Sequence, residues 1–189
     1  MKLAVLLDTL PARNTGRGRR PGDPWNLLFL GPEESVIGAL QAAGWVRLSL
    51  SIPVSILQGL GQLLRGRRLT LFPPMNIYHL DRRPQDHNWA QVVRPLAERH
   101  HFRLWRLPHD VWWGSANYDR DIRYRDLSHI PDPDADAERD YIAATLEGSP
   151  GVESIEYRTI DRIPTEGAND KGYPFRTDRR VLIVKLKTA

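Results

Sequence analysis

One short segment holds the residue types best suited to ligand binding and acid-base chemistry. Residues 99–105 read Arg-His-His-Phe-Arg-Leu-Trp. In a β-strand, side chains alternate between the two faces, so Arg99, His101 and Arg103 would share one face. Guanidinium groups hold phosphate or carboxylate through charge-assisted hydrogen bonds, and histidine can transfer a proton near neutral pH. The segment therefore predicts an anion-binding face, with Arg99 and Arg103 as anion contacts and His101 and Arg103 as catalytic candidates. The alternative is the solvent-facing polar side of a β-hairpin.

A second polar run, residues 129–140, contains five carboxylates and one imidazole. Oxygen and imidazole ligands suit magnesium, manganese or zinc, so this run predicts a divalent metal site. The candidate metal ligands are Asp132, Asp134 and Asp136, and the candidates for proton transfer are His129 and Glu138. The competing interpretation is helix capping, because Asp132 is a suitable N-cap and acids in a first turn stabilise a helix by about 0.3–1 kcal/mol each. The sequence leaves both interpretations open.

Several enzyme classes lack support in this sequence. The chain has no cysteine, which rules out a cysteine nucleophile and thiolate zinc sites. The G-x-S-x-G, P-loop and H-E-x-x-H signatures of hydrolases, nucleotide-binding proteins and zinc proteases are absent from it. Asn117-Tyr118-Asp119 follows a tryptophan-rich segment and marks a third place where polar groups leave a predicted strand.

Basic residues are concentrated in two clusters, although the formal net charge is only +4. The first cluster is Arg13, Arg17, Arg19 and Arg20, and the second is Arg65, Arg67 and Arg68. Either cluster can attract a phosphate-containing ligand or an anionic membrane surface. Neither has the Gly/Arg repeats or interleaved aromatics that would indicate specific nucleic-acid binding. The Gly, Arg and Pro content of the first cluster favours a flexible basic leader over residues 1–21, before a domain of residues 22–189.

Length and composition indicate one folded domain. With 189 residues, 41 % of them hydrophobic and 26 % charged, the chain is an ordinary globular sequence with enough residues for one core. It contains no apolar run near the roughly 20 residues that cross a bilayer. Its start lacks the apolar region of a secretory signal. We therefore expect a soluble, cytoplasmic protein without a transmembrane segment.

Local patterns place the polar motifs on a mixture of helices and strands. An apolar run ending at Gly31, followed by Pro32 and two glutamates, predicts a strand and then a helix, and a second helix is expected over residues 52–64. Residues 100–107 and 111–118 should form a β-hairpin, and a third helix should have Asp132 as its N-cap. Residues 153–160 and 181–187 should pair antiparallel. The expected fold class is α+β, a single domain with a mixed, largely antiparallel sheet covered by about three helices.

With these blocks identified, the chain resembles the LssY C-terminal domain family. The matching segments, in the family's order, are PWNLLFLG (24–31), AAGW (42–45), RPQD (83–86), RHHFRLW (99–105) and DPDADAERD (132–140). The resemblance implies a bacterial protein with a shared fold and a shared polar site, and it implies no particular reaction. Members often follow a membrane domain similar to lipid phosphatases, whereas we expect this chain to be free-standing. One departure is Ile130, which stands where the family often has a second histidine after the one matched by His129. If that second histidine is a ligand, metal binding is weakened here.

Two functions remain open from the sequence. The first is a polar anion- or metal-binding site, hydrolytic toward a phosphate-containing substrate, in which both motifs come together: His101, Arg103, His129, Asp132, Asp134, Asp136 and Glu138. The second is a non-catalytic module that binds a protein or a membrane surface, in which the acidic run only caps a helix. A pocket where the motifs converge favours the first function, and separated motifs with an exposed apolar patch favour the second. The sequence does not decide whether the protein is an enzyme.

Overall fold

The computed structural model describes residues 3–65, 75–94, 97–123 and 128–187 of the chain. Four α-helices lie in these ranges: α1 (Leu3–Thr9), α2 (Glu33–Ala42), α3 (Ile52–Leu64) and α4 (Ala135–Leu146). The fourteen strands in the same ranges are β1 (Arg13–Thr15), β2 (Pro21–Pro24), β3 (Leu27–Leu30), β4 (Val46–Leu48), β5 (His79–Leu80), β6 (Arg83–Pro84), β7 (His87–Arg94), β8 (Glu98–Leu107), β9 (Val111–Arg123), β10 (Ser128–Pro131), β11 (Val152–Thr159), β12 (Glu166–Ala168), β13 (Pro174–Arg176) and β14 (Arg180–Leu186). A 3₁₀ turn, Arg17–Arg19, lies between β1 and β2.

Eight strands form the main sheet. Their order is β11-β14-β3-β9-β8-β7-β4, with β10 paired to the far end of β9. Neighbouring strands run antiparallel except β14 and β3, which are parallel. A smaller sheet, in the order β2-β1-β5-β6, and a two-stranded sheet of β12 and β13 complete the described part. The α+β class with a largely antiparallel sheet is confirmed, with α1 as a fourth helix.

The helices α2 and α3 lie where the sequence patterns predict them. α2 begins after Pro32, whose missing N–H is not needed there, and Glu33 and Glu34 occupy its first turn. Gly44, with φ of +82°, follows in the left-handed conformation that ends helices. None of the helices in the described ranges is long and apolar enough to cross a membrane.

The predicted hairpin is confirmed as β8 and β9. The two strands pair antiparallel from Arg99 opposite Asp119 to Leu107 opposite Val111. His109 and Asp110 have positive φ in the turn between them. The predicted antiparallel pairing near the end of the chain is also confirmed, since β11 and β14 pair from Val152 to Thr159.

Side-chain alternation divides the core between the two faces of the main sheet. On one face, Phe102 and Leu104 of β8 pack with residues of α2 and α4, including Leu40 and Ile142. On the other face, Trp105 packs with Trp25 and Trp113 and with α1, and the Trp25 and Trp105 rings meet edge to face at 5.0 Å. The period-two interpretation of β8 is therefore correct. We call these two sides the helix face and the tryptophan face.

Helix α4 begins two residues later than its sequence suggests. Its N-cap is Asp134, whose carboxylate accepts hydrogen bonds from the backbone N–H groups of Asp136 and Ala137, both at 3.1 Å. Asp132 instead accepts from the N–H of Asp134 at 2.8 Å, which holds the turn before the helix. Both aspartates are suitable caps by type, and the one that caps the helix also pairs with Arg176 of β13.

The stretch expected to be a flexible basic leader, residues 1–21, contains regular structure over its described part. Leu6 and Leu7 of α1 and Leu10 just after it are buried on the tryptophan face, because their spacing places them on one side of this segment. β1 pairs with both β2 and β5, so this stretch supplies strands to the smaller sheet. The prediction of a flexible leader is based on the arginines and glycines that follow these leucines, and their composition does not reveal the apolar side of the segment.

Candidate functional site

A polar pocket interrupts the tryptophan face of the main sheet. Beyond Trp105 and Trp113, the side chains of β8 and β9 on this face become polar and stay buried. Pairing between the strands sets them opposite one another: Arg103 with Ser115, His101 with Asn117, and Arg99 with Asp119. The regular alternation of a hairpin thus carries a row of polar groups into the interior.

Residues from distant parts of the chain close this pocket. Strand β2 and the segment just before β5 contribute side chains to it, and so do β10 and the loop between β12 and β13. The lining residues from these elements are Asp23, Asn76, Tyr78, His129, Pro131, Asn169, Lys171 and Tyr173. We call the site formed by all of these side chains the polar pocket.

Arg103 is the buried cation at the centre of the polar pocket. Its Nε donates to the backbone oxygen of Asn76 at 3.2 Å, and its guanidinium lies over the Tyr78 ring, 4.5 Å from the centroid. Its Nη1 lies 3.9 Å from Asp23 Oδ2 and has no hydrogen-bond partner among the described residues. A buried donor without a partner costs about 1–3 kcal/mol, so an anion that accepts from Nη1 would be stabilised there.

His101 lies beside a carboxylate that a second arginine holds. Its Nδ1 is 3.4 Å from Asp119 Oδ2, outside hydrogen-bond geometry, and Arg99 Nε donates to the same oxygen at 2.9 Å. Burial lowers the pKa of His101 well below its ordinary value, more than Asp119 raises it, so the imidazole is neutral. Burial alone would raise the pKa of Asp119, but neighbouring cationic groups, among them Arg99, which donates to it, outweigh burial and the pKa is lowered. An ionised carboxylate therefore accompanies a neutral imidazole.

Asp23 differs from Asp119 although both are buried carboxyls. Burial raises the pKa of Asp23, and the charge of Arg103 offsets this only in part. Its Oδ1 accepts from Asn169 Nδ2 at 3.1 Å. Lys171, on the same loop as Asn169, has its pKa lowered by burial and by the charge of Arg103. The pocket thus holds one carboxyl biased toward the neutral form and one that stays ionised, which is a pattern common at functional sites.

The pocket unites four of the residues predicted from the sequence. Arg99, His101, Arg103 and His129 all line it. Glu138 instead lies on the helix face, where its Oε2 is 2.7 Å from His100 Nδ1. The cationic side of β8 is buried, which differs from the solvent-facing hairpin considered as an alternative.

The acidic run before and within α4 makes structural contacts. Asp134 caps the helix and pairs with Arg176 at 3.1 Å. Asp136 accepts from Thr177 Oγ1 and from the N–H of Asp178, both at 2.7 Å, and pairs with buried Arg139 at 2.9 Å. These bonds fasten α4 to the segment before β14. Over the part of the chain that the structure describes, no group of three or more His, Asp or Glu side chains is placed to hold a metal ion.

The sequence patterns missed several residues of the pocket. Asp23 and Lys171 come from segments without periodic signals, and only the fold brings them and Tyr78 to β8. One feature of the sequence does point to Asp23: it is a lone carboxylate between Gly22 and Pro24, just before a buried strand. Asn117 and Asp119 lie within β9, which continues to Arg123, whereas the sequence pattern predicts a strand that ends at residue 118.

Glu138 gives the folded protein a stability that depends on pH. Burial raises its pKa from 4.5 to about 7, and the hydrogen bond with His100 lowers it only in part. The groups around it are His100, Asp119, Tyr118 and Tyr141. Because the folded-state pKa is above the ordinary value, the protonated form favours folding, and this contribution is lost as the pH rises through about 7.

We expect Glu138→Gln to flatten this dependence. Relative to the variant, the wild-type free energy of unfolding should fall between pH 5 and 8, by up to about 3 kcal/mol, because one unit of pKa corresponds to ~1.36 kcal/mol. Urea unfolding at several pH values measures the slope. Glu147→Gln, an exposed acid at the end of α4, is the matched control and should keep the wild-type slope. Equal slopes for Glu138→Gln and wild type would contradict this account.

Comparison with known proteins agrees with the resemblance seen in the sequence. No curated protein and no solved structure matches the chain significantly. The model of one protein family, described as LssY C-terminus, matches residues 7–181, which include the end of α1 and every residue that lines the polar pocket. A match over this share of the chain is decisive, and the chain belongs to the LssY C-terminus family.

Proposed function

We propose that the chain binds a phosphate-containing ligand in the polar pocket, with Arg103 as the principal contact to the anion. The observation that carries this proposal is the buried guanidinium of Arg103, whose Nη1 has no hydrogen-bond partner among the described residues. A tetrahedral oxyanion can accept from this donor and from its neighbours at the same time.

The charge balance of the pocket supports an anionic ligand. Three cationic side chains line it, Arg99, Arg103 and Lys171, against the two carboxyls of Asp23 and Asp119. The raised pKa of Asp23 and the lowered pKa of Lys171 each favour the neutral form, so the positive charge of the pocket rests mainly on Arg99 and Arg103. Arg99 and Arg103 are buried, which strengthens their interactions with an anion, because charges attract more strongly in a protein interior than in water.

The same residues support hydrolysis of a phosphate ester as the reaction. Neutral His101 can accept a proton from a water molecule as that water attacks phosphorus, and ionised Asp119 stabilises the imidazolium that forms. The bond between phosphorus and the leaving oxygen breaks as Asp23, in its protonated form, gives its proton to that oxygen. Arg103 neutralises the charge on the transferred group.

Binding and hydrolysis can be tested with two variants of β8. We expect Arg103→Gln to weaken the binding of inorganic phosphate at least tenfold, because the central cation is lost, whereas Arg103→Lys should weaken it less. His101→Asn should retain phosphate binding and lower the rate of p-nitrophenyl phosphate hydrolysis by about 10²-fold or more. Titration calorimetry measures binding, and release of nitrophenol measures the reaction.

Arg158→Gln is the control for a general loss of positive charge, since Arg158 is exposed on β11 and does not line the pocket. Circular dichroism establishes that each variant is folded. Binding of phosphate by folded Arg103→Gln as tightly as by wild type would refute the pocket proposal, as would a lack of binding by wild type. Hydrolysis by His101→Asn at the wild-type rate would refute the role of His101 alone.

A second candidate function, docking to an anionic membrane surface, is favoured by α3. The thirteen residues of this helix include no charged side chain, yet Leu57 and Leu64 are 70 % and 80 % exposed. Val54 and Leu60 are also exposed and fall on the same side of the helix. Arg65 follows, and then Arg67 and Arg68, which lie outside the described residues. An apolar helix side next to arginines is typical of helices that lie in a membrane interface.

For this second function, we expect wild type to sediment with vesicles that contain phosphatidylserine and less with vesicles of phosphatidylcholine alone. The double substitution Leu57→Ser and Leu64→Ser should abolish sedimentation, because it removes the apolar area that the membrane would bury. Val93→Ser changes a comparably exposed apolar residue on β7 and should have no effect. The candidate fails if wild type stays in the supernatant or if the double variant sediments like wild type.

A further inference from the structure

The polar pocket opens into a wider groove with predominantly basic walls. Six residues line both the pocket and the groove: Asn76, Tyr78, His129, Asn169, Lys171 and Tyr173. The groove extends from there between the 3₁₀ turn Arg17–Arg19 and the turn that joins β5 to β6. A ligand held in the pocket would therefore have a path for a second group along the protein surface.

Charges along this groove are strongly unequal. The cationic side chains that line it are Arg13, Arg17, Arg19, Arg20, Arg82, Arg123 and Lys171. The carboxyls are Asp81 and Asp170, and Asp170 already accepts from the Tyr78 hydroxyl at 2.6 Å and from the N–H of Arg17 at 2.9 Å. The groove thus presents a positive potential next to an anion site.

The arginines of the 3₁₀ turn that line the groove are held in a fixed conformation. Gly16 N–H donates to the oxygen of Arg20 at 2.9 Å, and Gly18 and Arg19 adopt the left-handed conformation. A Cβ at Gly16 would lie 2.3 Å from Asp170 Cγ, so only glycine allows the turn to approach this carboxylate so closely. The exposed side chains of Arg17, Arg19 and Arg20 therefore start from a defined position beside the pocket.

We propose that the natural ligand carries more than one phosphate group, with one group in the polar pocket and the next in the groove against Arg17, Arg19 and Arg20. This inference rests on the proposed phosphate binding and names the class of ligand. A single phosphate in the pocket contacts Arg103, and the exposed side chains of Arg17, Arg19 and Arg20 along the groove can then contact a second phosphate group. A soluble polyphosphorylated molecule and a lipid headgroup with two phosphates share the chemistry that this arrangement recognises.

The test compares orthophosphate, pyrophosphate and tripolyphosphate by titration calorimetry at fixed ionic strength. Wild type should bind tripolyphosphate at least tenfold more tightly than orthophosphate. The triple variant Arg17→Gln, Arg19→Gln and Arg20→Gln should lose this gain and keep its affinity for orthophosphate. A triple variant of exposed arginines outside the groove, Arg47→Gln, Arg94→Gln and Arg158→Gln, has the same net charge and should keep the gain.

Phosphate binding in the pocket and the recognition of more than one phosphate group can be refuted separately. If wild type binds all three anions with equal affinity, the pocket site stands and the inference about several phosphates is wrong. If the control triple variant loses the gain as fully as the groove variant, the effect belongs to overall charge and the inference is also overturned. If wild type binds none of the anions, phosphate binding itself fails.

A vesicle experiment distinguishes a lipid ligand from a soluble one. It compares vesicles that contain cardiolipin, which has two phosphates, with vesicles that contain phosphatidylglycerol, which has one. Preferential binding to cardiolipin that the groove variant loses would identify the ligand as a lipid.

Discussion

The ion pair between Arg99 and Asp119 is the interaction on which the polar pocket depends. The two side chains stand directly opposite each other on β8 and β9, and both are buried. Removing one partner of such a pair leaves a buried charge without compensation, at a cost of about 3–5 kcal/mol. The pair therefore fixes the distal part of the hairpin and places an ionised carboxylate beside His101. Against the effect of burial, which lowers the pKa of His101, the charge of this carboxylate raises it and so stabilises the protonated form of the imidazole.

The tryptophan face explains how so many polar groups are kept inside the fold. Trp25, Trp105 and Trp113 form a rigid aromatic cluster next to the pocket, and the strand alternation that buries them continues into Arg103 and His101. On the other side, Asp170 holds Tyr78 in place beneath Arg103. The burial of apolar side chains thus stabilises a fold in which the polar groups of the pocket make only some of their possible hydrogen bonds with one another. This is usual at a binding site.

Family membership establishes the fold, whereas the roles of the polar residues are inferred from their contacts. The match to the LssY C-terminus family covers the strands and loops that build the pocket, so the fold and the pocket belong to one unit. The acidic run, the most conspicuous motif in the sequence, instead fastens α4 through Asp134, Asp136 and buried Arg139. A dense group of carboxylates can thus serve a single buried arginine and a helix terminus.

Local patterns predicted the parts of the fold that depend on neighbouring residues. The alternation of β8 placed Arg99, His101 and Arg103 on one face, and proline, glutamate and glycine signals delimited α2. The remaining parts depend on contacts between distant segments. Asp23 and Lys171 reach β8 only through the smaller sheet and the loop after β12, and no spacing in the sequence encodes that approach. Glu138 lies on the helix face because α4 as a whole packs there through Ile142 and Leu146, on the side of the main sheet opposite the pocket.

The most direct test of the central claim is a crystal structure of the protein soaked in tungstate, a tetrahedral oxyanion with a strong anomalous signal. The account predicts an anomalous peak in the polar pocket, with a tungstate oxygen within hydrogen-bond distance of Arg103 Nη1. An unoccupied pocket at a concentration that fills other surface sites would contradict the claim that this row of buried residues is an anion-binding site.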